Sequence, residues 1–265
     1  MIHPTAIIDP AAEVDPSCEI GPYAIIDANV RLGPDCRVGP HAHLTGLTEI
    51  GPNNRFYTGC VIGEAPQDLK YRDEPTRLQI GSDNVFREFV TVHRSAKLFE
   101  NTVIGSNNFL MANSHVGHNA ELGNNIVVAN GALIAGHVTV QDRVFISGIC
   151  MIHQFVRVGT LALMQGGSGI SKDLPPYTIA RGNNHICGLN IVGLRRAGFS
   201  SEQRFELKRL YKALFRTGLP MRKAVDDAAR EFKSPEAAAM IEFVRTSTRG
   251  VCVDVSGNAA EEGEV

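Results

Sequence analysis

The sequence predicts a parallel β-helix of roughly ten coils followed by a small helical domain, and three observations carry that expectation. An aliphatic or large apolar residue returns at every sixth position: Ile2, Ile8, Val14, Ile20, Ile26, Leu32, Val38, Leu44, Ile50, Phe56 and Ile62. The phase resumes at Ile80, Phe86 and Val92, then runs from Ile104 through Leu110, Val116, Leu122, Val128, Ile134, Val140, Ile146, Ile152, Val158 and Met164 to Ile170. The next residue is often glycine (Gly21, Gly33, Gly39, Gly51, Gly105, Gly117, Gly123, Gly159), and the fifth place of the hexad is often small (Ala6, Ala12, Cys18, Ala24, Ala42, Ala120, Ala132). Finally, the rhythm stops at the two prolines of DLPPY, Asp173 to Tyr177, which cannot donate to a strand ladder.

No α-helix or antiparallel hairpin has a period of six, whereas short strands joined by tight corners do. Three hexads make one triangular coil, and successive coils stack about 4.8 Å apart. The large residue of each hexad points inward and meets its counterparts above and below. Glycine is expected to supply backbone freedom near the corner, and the small residue to sit where the walls converge. A single hexad cannot bury its apolar side chain, so stability is a nearest-neighbour property of the stack.

In chain order, a β-helix is expected over 1–190, with two ejected loops. Residues 63–79 (GEAPQDLKYRDEPTRLQ) and 93–103 (HRSAKLFENTV) break the rhythm, and loops leaving a rigid scaffold are where binding residues concentrate. Residues 191–250 are expected to form a helical domain, with helices beginning after a short irregular stretch. Phe199 to Gly218 opens with a capping box, Ser200 and Gln203, and places Leu207, Leu210, Tyr211 and Leu214 on one face. A second helix is expected from Met221 to Phe232, and a third from the cap Ser234 and first-turn Pro235 to about Thr246. The acidic, glycine-containing stretch 251–265 is expected to be disordered.

Formal net charge is −2, which points to no nucleic-acid partner, but the charge is uneven. From Arg195 to Arg249 there are 13 Lys or Arg against 7 Asp or Glu, a local +6 that leaves −8 elsewhere. Such a region suits an acidic partner, although helices commonly carry more charge than buried strands. The chain opens in hexad phase with MIHPTA, without the features of a signal peptide, and no stretch is apolar enough to span a bilayer; a cytoplasmic protein is expected. Of its six cysteines, Cys18, Cys36, Cys60 and Cys150 occupy the small fifth place of a hexad, which reads as reduced core packing.

Folding the chain onto its coils gathers histidines that look scattered. His118, His137 and His153 are 19 and 16 residues apart, near the coil repeat, and so fall near one corner of three successive coils, with His115 on the adjoining segment. An imidazole near neutrality suits removal of a proton from a hydroxyl or amine attacking a carbonyl. Metal binding is the main rival for such a cluster. No serine or cysteine stands in a nucleophile elbow, so direct transfer is favoured over a covalent acyl-enzyme. Direct transfer needs a base, an amide donor for the oxyanion and positioning of two substrates; Gly136, beside His137, offers an unobstructed N–H.

The segments IGEAPQDLKY, VTVHR, NSHVGHN, LIAGHV, IHQFVRVG, LPPYTIARGN and GLNIVGLRRAGF, in this order and spacing, resemble the UDP-N-acetylglucosamine O-acyltransferase family of lipid A biosynthesis. The likeness spans Met1 to Gly250 and implies the left-handed β-helix of hexapeptide acyltransferases. It implies transfer of an acyl chain, commonly 3-hydroxylated, from acyl carrier protein to the glucosamine 3-position of a UDP-sugar, by a homotrimer with sites between neighbouring β-helices and no cofactor. By position, His118 matches the general base and Gly136 the oxyanion donor. Asp68, Lys70, His115, His137 and Gln154 match residues around sugar and diphosphate, and His153 a supporting histidine. Asn190 and Arg196 match nucleotide contacts, and Gly166 a position that sets the depth of the acyl groove. The acidic carrier protein gives the basic region a purpose, with Lys208, Arg209, Lys212 and Arg216 as the expected docking surface.

Three positions depart from the family pattern. Asn119 follows the base where the family usually has aspartate, so a weaker base, or a more nucleophilic 3-amino acceptor, is expected. Ala197 ends the run of basic residues early, and Val192 stands where some members have glutamate. Beside O-acylation, N-acylation of an amino-sugar nucleotide and a zinc-dependent hydratase of the γ-carbonic anhydrase kind remain alternatives. An ice-binding scaffold fits poorly, since it would show threonine arrays and no ejected polar loops.

Overall fold

The computed structural model describes residues 1–254. Strands of two to five residues stack into three sheets, one per wall of a prism. Ile7 pairs with Ile25, Glu13 with Arg31 and Glu19 with Arg37, all parallel and all 18 residues apart, as three hexads per coil require. The inward residues of the hexads form one continuous core, and Cys18, Ala24, Cys36, Ala42 and Cys60 are buried between them. The cysteines are free thiols, and burial pushes Cys36 up to about 11 and Cys60 to about 12, which leaves both inert near neutrality.

The interruptions preserve the phase for an arithmetical reason. Across the first, Leu47 pairs with Arg77 and Arg55 with Val85, a separation of 30, so 12 residues are inserted. Across the second, Arg77 pairs with Asn101 and Val85 with Phe109, a separation of 24, so six are inserted. Both insertions are multiples of the hexad. The strands reach further into the excursions than expected, with Val61–Glu64, Arg77–Ile80, Thr91–His93 and Asn101–Ile104 all paired. The ejected loops are therefore 65–76 and 94–100, and His93 belongs to the wall.

The role expected of the glycines is corrected. Positive φ falls two residues after the glycine position, where Tyr23, Asp35, Asn107, Asn119, His137 and Phe155 adopt left-handed backbone with φ between 57° and 65°. The glycine is needed because the next coil lies against it. A Cβ on Gly105 would sit 2.5 Å from the Gly123 carbonyl oxygen, and one on Gly117 would sit 2.6 Å from the Gly136 nitrogen.

The last coil reverses. Thr178–Ala180 continues one wall, then pairs antiparallel with His185–Leu189. Four helices follow: α1 (Ile191–Arg196), α2 (Ser201–Phe215), α3 (Met221–Glu231) and α4 (Pro235–Arg245). The capping box of α2 and the Ser234 cap of α4 form as expected, whereas α1 was unanticipated because its six residues carry no helical periodicity of their own. The helices build a second core with Leu161 and Tyr177 from the β-helix end. Arg157 fastens the two parts: it holds the buried Asp173 at 2.8 Å, donates to the Phe243 carbonyl at 2.9 Å and lies over the Phe243 ring.

The expectation for 251–265 needs revision at its start. Val253–Asp254 pairs with His185–Leu189, and Val251 and Cys252 are buried. A buried Asp254 carboxylate accepts from Tyr211 and, at 2.9 Å, from Arg216. These contacts hold the chain in place as far as residue 254; 255–265 lie outside the described residues.

Candidate active site

The registers of the coils decide which side chains meet. His118 lies one coil before Gly136, and a Cβ on Gly136 would stand 2.8 Å from His118 Nε2 and 2.9 Å from its Cε1. Any larger residue would push the imidazole aside. The Gly136 N–H has no backbone acceptor among the described residues. Its hexad place is the one filled by Pro4, Pro10, Pro16, Pro22, Pro34, Pro40 and Pro52, where the ladder requires no donor. A histidine nitrogen and an unclaimed amide are thus stacked together.

His137, at its left-handed corner, presents a ring face to Phe155 at 4.5 Å and meets the His118 ring edge-on at 5.2 Å. His115 lies on the preceding strand, its Nδ1 2.8 Å from the Thr91 hydroxyl, and meets His93 edge-on at 5.0 Å. A cleft of about 880 Å³ opens over this surface, lined by His93, His115, His118, Gly136, His153 and Gln154 and floored by Leu133, Met151 and Ile170. His153 and Gln154 are exposed at its rim. Burial and the neighbouring His118 hold His115 and His137 below the ordinary imidazole range.

His93 escaped the sequence reading. It is 6% exposed, and its Nδ1 has no partner among the described residues. Burial, with His115 nearby, pushes it down to about 4. The signal was available in the phase arithmetic: with six residues inserted, position 93 falls on the same wall as 117 and so beside the cluster. It was hidden because the 93–103 segment reads as loop throughout.

A depressed histidine contributes stability that is fully present above its unfolded value and is lost as pH falls towards the folded one. Lowering pH from 7 to 5 should therefore destabilise the fold by about 2 kcal/mol through His93 alone, the unfolded chain taking up the proton first. Urea titrations at the two pH values measure this, and His93→Gln should flatten the difference.

The histidine–asparagine pair departs from expectation in one respect. Asn119 is buried, and its Oδ1 lies 2.9 Å from His118 Nδ1 and accepts from the Ala96 N–H at 2.9 Å. Its Nδ2 donates to Ser95 Oγ at 2.7 Å and to a Glu100 carboxylate oxygen at 2.9 Å. A negative charge thus stands one residue further out from His118, on loop 94–100.

Other expected site residues are distributed unevenly. Asp68 and Lys70 are on loop 65–76, with Asp68 accepting from the Lys70 backbone N–H at 2.9 Å and the Lys70 side chain exposed. Gly166 is exposed one coil from Gly148, and a Cβ there would meet only ordinary contact at 3.5 Å. Asn190 is buried and caps α1. Its Oδ1 accepts from the Gly193 N–H and its Nδ2 donates to the Leu161 carbonyl, both at 2.9 Å, so in this conformation its carboxamide is engaged at both ends. It presents the start of α1, at whose far end Arg196 is exposed. On α2, Lys208 and Lys212 are exposed, but Arg209 pairs with Glu231 and lies over Phe232, and Arg216 pairs with Asp254. These arginines tie helices and terminus together while their side chains stay exposed. Among the described residues no group of three or more His, Cys, Asp or Glu is arranged to hold a metal ion, and no helix is long and apolar enough to cross a membrane.

A stacked-coil β-helix that sets an imidazole and a free amide in one cleft defines a hexapeptide-repeat acyltransferase, and comparison with known proteins agrees. A family model described as bacterial transferase hexapeptide matches residues 101–136, and one described as UDP N-acetylglucosamine O-acyltransferase, domain 2, matches 173–252. An acyl-[acyl-carrier-protein]–UDP-N-acetylglucosamine O-acyltransferase of Janthinobacterium sp. is 45% identical over 95% of this chain and 98% of its own. One from Anaeromyxobacter dehalogenans is 46% identical over 94% and 98%. The UDP-N-acetylglucosamine acyltransferase structure from Francisella novicida superposes with a TM-score of 0.93 at 33% identity, over 97% of this chain and 96% of that one. That from Bacteroides fragilis gives 0.91 at 39%, over 95% and 99%. The chain belongs to the UDP-N-acetylglucosamine O-acyltransferase family; it is an acyltransferase with the left-handed β-helix of that family.

Proposed function

We propose that this enzyme transfers an acyl chain, commonly 3-hydroxylated, from acyl carrier protein to the 3-hydroxyl of UDP-N-acetylglucosamine, the first step of lipid A synthesis. The observation that carries the reading is the stacking of His118 Nε2 on Gly136, whose N–H has no backbone acceptor among the described residues. His118 Nε2 takes the proton of the 3-hydroxyl as its oxygen attacks the thioester carbonyl. The Gly136 N–H donates to the developing oxyanion. Collapse of the tetrahedral intermediate breaks the carbon–sulfur bond, and the imidazolium returns the proton to the leaving thiolate. No cofactor enters the balance.

His115, His137, His153 and Gln154 surround the sugar and diphosphate, with Asp68 and Lys70 reaching in from loop 65–76; Lys70 meets phosphate as a point charge. Arg196, at the end of the helix capped by Asn190, meets the nucleotide. Gly166 leaves the groove open to a longer acyl chain. Lys208 and Lys212 form part of the surface for the acidic carrier protein, the enzyme works in the cytoplasm where its donor is charged, and a homotrimer completes each cleft. Incubation with a panel of acyl carrier protein thioesters and UDP-sugars tests this directly, by product mass. Acylated UDP-N-acetylglucosamine is expected. Acylation of the 3-amino analogue alone would replace this reading with N-acylation.

Gly136→Ala keeps the amide N–H but sets a methyl group against the His118 imidazole. Displacing the base should lower kcat by about 10²-fold. Circular dichroism checks that the coil persists.

A further inference from the structure

We propose that Glu100 is a positioning residue for the acyl transfer: through the Asn119 carboxamide, it holds His118 with its proton on Nδ1 and Nε2 free, and supplies the negative charge behind the base. The inference rests on the reading of His118 as base.

The orientation of Asn119 is set jointly by its neighbours. Its Oδ1 faces the Ala96 N–H, a donor only, at 2.9 Å. Its Nδ2 faces the Glu100 carboxylate, an acceptor only, at 2.9 Å, and Ser95 Oγ at 2.7 Å. The Ser95 hydroxyl lies 3.0 Å from the Lys97 carbonyl, to which it donates, and so accepts from Asn119. Turning the carboxamide over would set its oxygen against a carboxylate and its NH2 against an N–H. With Oδ1 fixed as an acceptor 2.9 Å from His118 Nδ1, that nitrogen must carry the proton in the neutral ring. The left-handed corner and the Asn119 N–H, which donates to Thr102 Oγ at 2.7 Å, anchor the backbone of the relay.

Glu100 is held in turn by Lys97 at 3.2 Å, and its side chain is 47% exposed. The other titratable or charged groups that face this cluster are His115 and His137 on the walls, Lys97 on the same loop and Asp68 on loop 65–76, with His93, Glu64 and Arg94 behind. Among them Glu100 alone is joined to His118 through a single intervening side chain.

Glu100→Gln keeps an acceptor for Asn119 but removes the charge. The acidic limb of the kcat/KM profile should move to lower pH by about half a unit, because the imidazolium loses a nearby anion in a partly screened setting. The plateau should fall about threefold to tenfold. Glu100→Leu should also let the carboxamide turn, giving mixed tautomers in the ¹⁵N spectrum of His118. Asn119→Asp alone would face one carboxylate with another and lower activity. The pair Asn119→Asp with Glu100→Gln swaps donor for acceptor across the same contact, and should recover most of the wild-type rate. Wild-type pH profiles and a wild-type tautomer in both Glu100 variants, or simple multiplication of the two single effects in the pair, would overturn the proposal. Retained activity in His118→Ala would instead overturn the base itself, and the ¹⁵N measurement separates these failures because it does not depend on turnover.

Discussion

His118→Ala is expected to lower kcat/KM by about 10³-fold with little change in the folded state. The size follows from the chemistry removed. A sugar hydroxyl is a poor nucleophile unless its proton leaves as the new bond forms, and of the clustered histidines His118 has one nitrogen held by the buried Asn119 and the other set over Gly136. His115 uses its Nδ1 against Thr91, and His137 is stacked on Phe155. The ring of His118 is only partly buried, so its loss leaves a small solvent-accessible space rather than a core cavity. Product mass assays and a thermal melt on the same preparation check both halves. A comparable loss in His115→Ala, with activity retained in His118→Ala, would reassign the base.

The second large effect concerns the scaffold. Phe86→Ala should destabilise the protein by about 3–5 kcal/mol, the range for deleting a fully buried aromatic side chain. Phe86 is 0% exposed and stacks on Phe56, with ring centroids 4.9 Å apart. The two rings are neighbours only because the 12-residue insertion between them leaves the coil in phase. Neighbouring coils cannot close the void, since their backbones are held at strand spacing by ladder hydrogen bonds. Urea unfolding measures the loss. Phe86→Leu, which keeps most of the volume, should cost much less.

The helical half shows where local sequence is sufficient. Ser200 with Gln203, and Ser234 with Pro235, mark helix starts that the structure places within a residue, because caps are satisfied by groups three residues away. The missed α1 has its cap, Asn190, anchored by the Leu161 carbonyl 29 residues earlier, a contact no local window contains. The strand at Val253–Asp254 is likewise made by non-local partners: the edge at His185–Leu189 and the Tyr211 and Arg216 side chains.

For the site, the hexad count alone brings His115, His118, His137 and Gly136 together, since period and register are the same quantity in a coil of fixed length. The sixfold rhythm therefore determined the fold, the stacking partners and most of the cleft. What only the tertiary structure decided lies off the ladder. His93 entered the cleft because the wall continued into a segment that reads as loop. Arg209 and Arg216 were drawn into ion pairs with Glu231 and Asp254. Glu100 came to rest on Asn119 because loop 94–100 folds back over the corner, placing a carboxylate where the hexad pattern offers only an amide. A repeat fixes backbone positions through its period; the side chains of an ejected loop are placed by hydrogen bonds to whatever lies beneath, and the period carries no record of them.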